Sequence, residues 1–242
     1  VLTSMLADLS NIFSVPAHTQ FAAEAAALQT AVDAFVADPN ATTLAAAQGA
    51  WVEAATQWER LSALNLPSIQ FGRYHNRISI WPTDVFEVEQ LLTTNDAIDV
   101  AFVNRQGSNK RGLPVLEYLL FADGMEAQGR ASDDAILAAM QSANRQAYAS
   151  AVAADVVAKA NDLAEVWSRD GGDELGMFEA ADSEGRNLQS SVSRIVNEMA
   201  MVTEDLRYVL LGRPFGIARN PEEPGGAPDA MRVQTPYAQV SK

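Results

Sequence analysis

The sequence contains no cysteine and only two histidines, His18 and His75. Without cysteine there are no disulfides, thiolate nucleophiles, cysteine-bound zinc sites or iron–sulfur clusters. Neither histidine belongs to a His-Glu-x-x-His arrangement, and the chain has no Gly-x-Ser-x-Gly elbow and no Gly-rich phosphate loop. These absences exclude the usual motifs of zinc peptidases, serine hydrolases and P-loop nucleotide-binding proteins.

Basic residues are few, since 17 Lys and Arg stand against 31 Asp and Glu, and the formal charge is −14. A protein that binds nucleic acid needs a basic surface to neutralise phosphate, and the basic residues here are scattered. We therefore expect no nucleic-acid partner. No apolar run reaches the about 18 residues that a membrane-spanning helix needs, so we expect no transmembrane segment in this chain.

Helix-forming residues are abundant. Alanine supplies 42 of the 242 residues, and no proline occurs between Pro114 and Pro214. Apolar residues recur every three or four positions in three segments, which is typical of amphipathic helices. These segments are Phe21 to Phe35, Leu44 to Leu61 and Leu188 to Val209.

The pattern also predicts one long helix from Ser132 to about Trp167 and a short helix from Asp96 to Asn104. Alternation typical of strands is scarce. We therefore predict an all-α fold of two packed antiparallel helical bundles, formed by residues 1–125 and 130–242. Four glycines and four prolines in residues 212–228 predict a linker. Only 14 residues follow, and we expect this second bundle to be cut short.

The tryptophans are candidates for both core and site. Trp51 and Trp58 are seven residues apart, which places them on one helix face. Such a pair is typical of a core, but a pocket wall is the alternative, because a buried indole N–H needs a partner. Trp81 follows an irregular stretch that holds His75, and Asp84 with Glu87 resembles the capping box of a helix to about Leu92.

A single carboxylate, Glu117, stands in the apolar run from Gly112 to Phe121. Pro114 is well suited to be the first residue of a helix there. Glu117 is open to two interpretations. A buried functional carboxylate needs a partner, whereas an anion near a helix start is stabilised by the helix dipole and free N–H groups.

Several segments, in this order and spacing, resemble the imelysin-like proteins, also called peptidase family M75. The segments are Ala50 to Glu59, Phe71-Gly72, Trp81 to Asp84, Gly112 to Phe121, Asn187 to Gln189 and Asn197 to Gly212. The family's signature is Gly-x-His-x-x-Glu. Gly112 and Glu117 match it, while Pro114 stands at the position of the histidine.

The resemblance implies a two-bundle helical protein of the bacterial cell envelope, linked to iron regulation or uptake. It implies export to the periplasm or outer membrane, often with a lipid anchor, and we expect an export signal upstream of Val1. The family motif suits joint metal ligation by its His and Glu; no cofactor is certain for this chain, and a metal ion, iron or zinc, is the candidate, with the motif residue Glu117 and the nearby His75 as candidate ligands. Because proline has no donor or acceptor side chain, this chain keeps the carboxylate of the motif and loses the imidazole.

Three functional hypotheses follow. The leading one is a non-catalytic binding protein whose pocket lies near Glu117, with a metal complex or a small envelope component as ligand. The candidate pocket residues are Gly112, Pro114, Glu117, Trp51, Trp58, Trp81 and Asp84. The second is a metallopeptidase, which normally needs three protein ligands and an open position for water. The third is a module that docks an envelope partner protein through exposed apolar helix faces.

Overall fold

The computed structural model describes residues 2–63, 69–70, 72–124, 130–168, 170–172, 175–176, 188–205 and 207. None of these residues forms a β-strand, which confirms the predicted all-α fold. The helices are α1 (Leu2–Leu9), α2 (Val15–Ala37), α3 (Ala41–Ser62), α4 (Tyr74–Ile78), α5 (Val85–Leu91), α6 (Val100–Asn104), α7 (Leu113–Phe121), α8 (Asp133–Ala139), α9 (Ala143–Trp167) and α10 (Leu188–Asp205). A π-helical turn, Ser10–Ser14, joins α1 to α2. Among these helices, none is at once long and apolar enough to cross a membrane.

Helices α2, α3 and α9 form the main layer of the molecule. The apolar stripe predicted on α2 is the face that α2 buries, and it packs along both α3 and α9. The buried stripe of α3 carries Trp51 and Trp58, which are 2% and 1% exposed. Both tryptophans therefore belong to the core, as the heptad spacing predicts.

Helix α7 is the buried centre of the fold. All nine of its residues are buried, and it packs against α3, α8 and α9. Its sequence is apolar all round except for Glu117 and Tyr118, as a helix without a solvent-facing side requires. The segment that the sequence singled out for its lone carboxylate is thus the most enclosed helix in the described part of the chain.

One large apolar core joins α2, α3, α7 and α9. A smaller cluster of Leu6, Trp167 and Leu175 lies beside it, with Val192 and Ile195 of α10 packed against it. The proposed boundary between the two bundles falls at residues 125–129, which lie outside the described ranges. The division into bundles 1–125 and 130–242 stays a prediction.

Two helix predictions need correction. The single long helix predicted to begin at Ser132 is two helices, because Ser142 caps a new start by accepting from the backbone N–H of Arg145. The short helix expected from Asp96 begins only at Val100, since Asp99 is its N-cap. The predicted last helix is described to Asp205, and the predicted linker 212–228 lies outside the described residues.

Candidate functional site

The start of α7 accepts only a glycine. Gly112 has a φ of 81°, in the left-handed region that residues with a side chain rarely adopt. A Cβ atom here would lie 2.3 Å from the carbonyl oxygen of Ile78, the last residue of α4. Gly112 therefore lets the end of α4 lie directly against the start of α7, which is a structural role for this motif residue.

Pro114 and Glu117 are three residues apart on α7 and share a face. Pro114 is the second residue of the helix rather than the first, and its missing N–H costs nothing there. Glu117 is the fifth residue, just past the first turn, and is 1% exposed. A carboxylate at this depth is costly unless other groups compensate its charge. The binding role of Glu117 stays a prediction.

Trp51 links α3 to the start of α7. Its Nε1–H donates a hydrogen bond of 2.8 Å to the carbonyl oxygen of Leu113. Its ring meets Phe121, at the other end of α7, edge to face with centroids 5.5 Å apart. Trp51 is therefore a core residue that also holds α7 in place, and its indole N–H has the partner that burial demands.

Trp58 contacts His75 of α4. The two rings are edge to face with centroids 5.3 Å apart, where α3 meets α4. Burial lowers the pKa of His75 below its ordinary value, although the nearby carboxylate of Glu59 acts in the opposite direction. The neutral imidazole is the form that binds metal ions.

Asp84 and Trp81 lie on the segment between α4 and α5, and both are half-buried. Asp84 caps α5, since its Oδ1 accepts from the backbone N–H of Glu87 at 3.0 Å. Its own N–H donates to the carbonyl oxygen of Asn109 at 2.9 Å. Asp84 therefore ties α5 to the turn that leads into Gly112.

The donor set in the described part of the chain does not fit a resident catalytic metal ion. In the ranges that the structure describes, no three His, Asp or Glu side chains are grouped so that they could hold one. The proline at position 114 also removes the imidazole that would stand three residues before Glu117. Among the described residues, the candidate metal ligands Glu117 and His75 therefore have no group of further ligands such as zinc or iron chemistry requires.

A partly buried ion pair that contacts Tyr118 could not be predicted from the sequence pattern. Arg145 is 3% exposed and donates from Nη1 to Glu89 Oε1 at 2.8 Å and from Nη2 to the carbonyl oxygen of Ala122 at 3.0 Å. The hydroxyl of Tyr118, next to Glu117 in sequence, donates to the same Glu89 oxygen. Burial and Glu89 both raise the pKa of Tyr118. The network ties α5, α7 and α9 together.

A second polar group lies where α9 meets the turn before α7. The hydroxyl of Tyr148 donates to the carbonyl oxygen of Lys110. Asp155 is fully buried on α9, with Lys159 one turn further on. One sequence signal was available, because Arg145 and Asp155 both occupy positions of the apolar stripe of α9, where a charge is unexpected.

These features define an all-α bundle protein built around one enclosed, carboxylate-bearing helix. The chain belongs to the imelysin family, whose sequence model (Peptidase_M75, Imelysin) matches residues 14–241. The comparison with curated proteins finds no match.

Two solved structures share the fold. An imelysin-like protein from Psychrobacter arcticum 273-4 has a TM-score of 0.70 at 16% identity, over 89% of this chain and 64% of that chain. A protein described as an iron-regulated protein A precursor, from Parabacteroides distasonis ATCC 8503, has a TM-score of 0.75 at 18% identity, over 98% of this chain and 68% of that chain. This chain thus spans about two thirds of the length of each.

Proposed function

We propose that this chain is a non-catalytic binding protein of the bacterial cell envelope, linked to iron regulation or uptake, with its ligand pocket near Glu117 at the start of α7. The observation that carries the proposal is a buried carboxylate at the glutamate position of the family motif, 1% exposed on a helix that is otherwise apolar. Because burying a carboxylate is costly, a position that only stabilised the fold would be better filled by an apolar residue.

The non-catalytic part of the proposal is based on the motif position that Pro114 occupies. A metallopeptidase activates water on an ion with three protein ligands and one open position. Pro114 replaces the motif imidazole, and the described residues offer no group of three ligands. With Pro114 in place of the motif imidazole and Glu117 retained, the motif keeps a carboxylate that can bind a ligand and lacks one candidate metal ligand.

The envelope location and the link to iron are proposed by analogy with a protein of the same fold. The Parabacteroides protein that shares the fold is described as iron-regulated and as a precursor. We extend both properties to this chain on the strength of its membership of the imelysin family. Fractionation of cells that express the full native gene tests the location, and recovery of the protein in the cytosol contradicts it.

The binding role is tested by calorimetric titration of the chain with ferrous sulfate and with ferric nitrilotriacetate. We expect one of these probes to bind the parent chain and to bind Glu117→Gln at least tenfold more weakly. Glu53→Gln is the matched control, because Glu53 is exposed on α3. Casein hydrolysis is measured in parallel and is expected to be absent. Equal binding by Glu117→Gln rejects the pocket, and metal-dependent hydrolysis favours the peptidase.

Docking of an envelope partner protein is a second candidate function. Helix α10 exposes Val196 and Met199 at 58% each, Met201 at 57% and Val202 at 39%. Apolar side chains so exposed on one helix mark interaction surfaces in many soluble proteins. A purified envelope protein that binds the parent chain and not Met199→Lys supports this function, provided that the variant melts like the parent.

A further inference from the structure

The buried face of α2 continues across the π-helical turn onto α1. Leu6, Ser10, Ser14 and His18 follow one another at steps of four residues, and each is at most 2% exposed. In an α-helix a step of four residues exceeds a full turn by about 40°, so three steps would carry the side chains about 120° around the axis. The backbone N–H of Val15 donates to the carbonyl oxygen of Ser10, five residues back, so the turn takes up one residue, or about 100°. The π-helical turn therefore keeps three polar side chains on the buried face.

These three side chains, Ser10, Ser14 and His18, form a polar row. Ser10 Oγ, Ser14 Oγ and His18 Nε2 are buried and make no hydrogen bond within the described part of the chain. The hydroxyls of Thr19 and Thr30 on α2 do bond to the carbonyl oxygen four residues back, as is common in helices. Buried polar atoms in native proteins nearly always have a partner, and an exception indicates a water molecule, an ion or a ligand.

His18 contributes an acceptor to the polar row. Its Nδ1 lies 2.7 Å from the carbonyl oxygen of Ser14, and because a carbonyl oxygen only accepts, Nδ1 carries the proton. Burial lowers the pKa of His18 to about 4, so the ring is neutral at pH 7 and Nε2 has a free lone pair. Trp167 covers one face of the ring and fixes its plane. Whatever occupies the row must therefore donate to Nε2.

We propose that the polar row is a buried water-binding site, in which one water molecule bridges Ser14 and His18 and a second bridges Ser10 and Ser14. Side chains four residues apart on a helix start about 5–6 Å from each other, a gap that one water molecule spans. The site is separate from Glu117, so this inference does not depend on the proposed function.

The charges at the polar row favour water over an ion. None of its three side chains is charged at pH 7, and the acidic residues Asp8 of α1 and Glu165 of α9 are exposed. An anion would meet the lone pair of Nε2, and a cation would be buried where the described residues offer no group of ligands to hold it. Water donates to Nε2 and exchanges hydrogen bonds with the hydroxyls, which gives it the two to four polar partners that a buried water molecule needs.

The sign of a serine-to-alanine change tests the site. If water satisfies the hydroxyls, Ser10→Ala and Ser14→Ala each remove a hydrogen bond and lower the melting temperature. A buried hydroxyl that has no partner is better replaced by a methyl group, and its removal raises the melting temperature. Ser193→Ala is the matched control, because Ser193 is exposed inside α10 and the change brings the same gain in helix propensity. We expect both row variants to melt below this control.

Oxygen-17 relaxation dispersion detects long-lived water directly. We expect the parent chain and Ser193→Ala to hold equal amounts, and the double variant Ser10→Ala with Ser14→Ala to lose the bridging molecules, because it keeps only one of their three polar partners.

The nitrogen-15 resonance of His18 Nε2 gives a second measurement, and the parent chain alone suffices for it. An unprotonated ring nitrogen that accepts a hydrogen bond resonates at lower frequency than one that accepts none. We expect the lower frequency in the parent chain, and a shift to higher frequency if the double variant folds.

Each of three outcomes rejects the water site. The first is that the row variants melt at or above Ser193→Ala. The second is that the parent chain and the double variant hold the same amount of long-lived water. The third is that Zn²⁺ or chloride raises the melting temperature of the parent chain and not of the double variant, which would show that an ion occupies the row.

Discussion

His18 of α2 and Trp167, the last residue of α9, lie face to face with ring centroids 5.0 Å apart and planes 3° from parallel. The stack joins the main core to the cluster around Leu6. His18 Nδ1 lies 2.7 Å from the carbonyl oxygen of Ser14, so Nδ1 carries the proton and donates. Burial lowers the pKa of His18 from 6.5 to about 4, and the imidazole is neutral at pH 7.

Acid should weaken the fold through His18. Because its pKa is lower in the folded chain than in the unfolded chain, the unfolded state takes up the proton first. The stability that the folded chain gains from keeping His18 neutral is fully present above about pH 6.5. It is lost as the pH falls towards 4, by about 3 kcal/mol in all. Urea unfolding of the parent chain and of His18→Phe between pH 7 and pH 4 measures the difference. Parallel pH curves for the two proteins contradict the prediction.

Gly112→Ala should destabilise the chain. The new Cβ meets the carbonyl oxygen of Ile78 at 2.3 Å, and the φ of 81° is strained for alanine. The strained backbone alone costs roughly 1–3 kcal/mol. Gly49→Ala is the matched control, because it lies inside α3 with no atom within 4 Å of the new Cβ. It should stabilise by about 0.5–1 kcal/mol, and thermal melts that rank the two variants in the opposite order reject this account.

Arg145→Met should destabilise the chain by about 2–4 kcal/mol, because it strands the partly buried carboxylate of Glu89 and the carbonyl of Ala122. The expected loss of stability is smaller than for a fully buried ion pair, because the side chain of Glu89 is 23% exposed. Arg105→Met, at an exposed position, is the control. The double variant Arg145→Met with Glu89→Gln should recover part of the loss. Equal urea midpoints for the parent and Arg145→Met exclude a stabilising network.

Pro114→His should raise the affinity of the chain for Zn²⁺, because it restores an imidazole three residues before Glu117 on the same helix face. Pro114→Ala separates this gain from the loss of proline. Adding Glu117→Ala should abolish the gain and lower stability by roughly 1–3 kcal/mol. Calorimetric zinc titration measures the affinities. If Glu117→Ala alone melts and binds like the parent, Glu117 has no special role.

The helices could be predicted from the sequence because their causes are local. A period of three to four residues creates the buried stripe of α2 from Phe21 to Phe35, and every member of that stripe is fully buried. The same reasoning found the heptad pair Trp51 and Trp58. It failed between Ala139 and Ala143, where residues 140–142 leave the α-helix and Ser142 caps the next helix.

The candidate site was only partly visible in the sequence. The run from Gly112 to Phe121 stands out because a carboxylate interrupts an apolar segment, and the structure places that segment at the centre of the fold. The partners that surround it are distant in sequence. Arg145 meets Glu89 across 56 residues, and Tyr148 meets Lys110 across 38.

Sequence alone therefore determined the all-α class, the apolar faces of the helices and the membership of the imelysin family. Periodicity and motifs are properties of residues that are neighbours in sequence. Tertiary structure decided which charges are buried and what they meet. Arg145 and Asp155 are both polar residues on one stripe of α9, yet the first is hydrogen-bonded to Glu89 and the second has no hydrogen-bond partner. The free energy of a buried charge depends on groups that only packing brings near, and no local pattern encodes it.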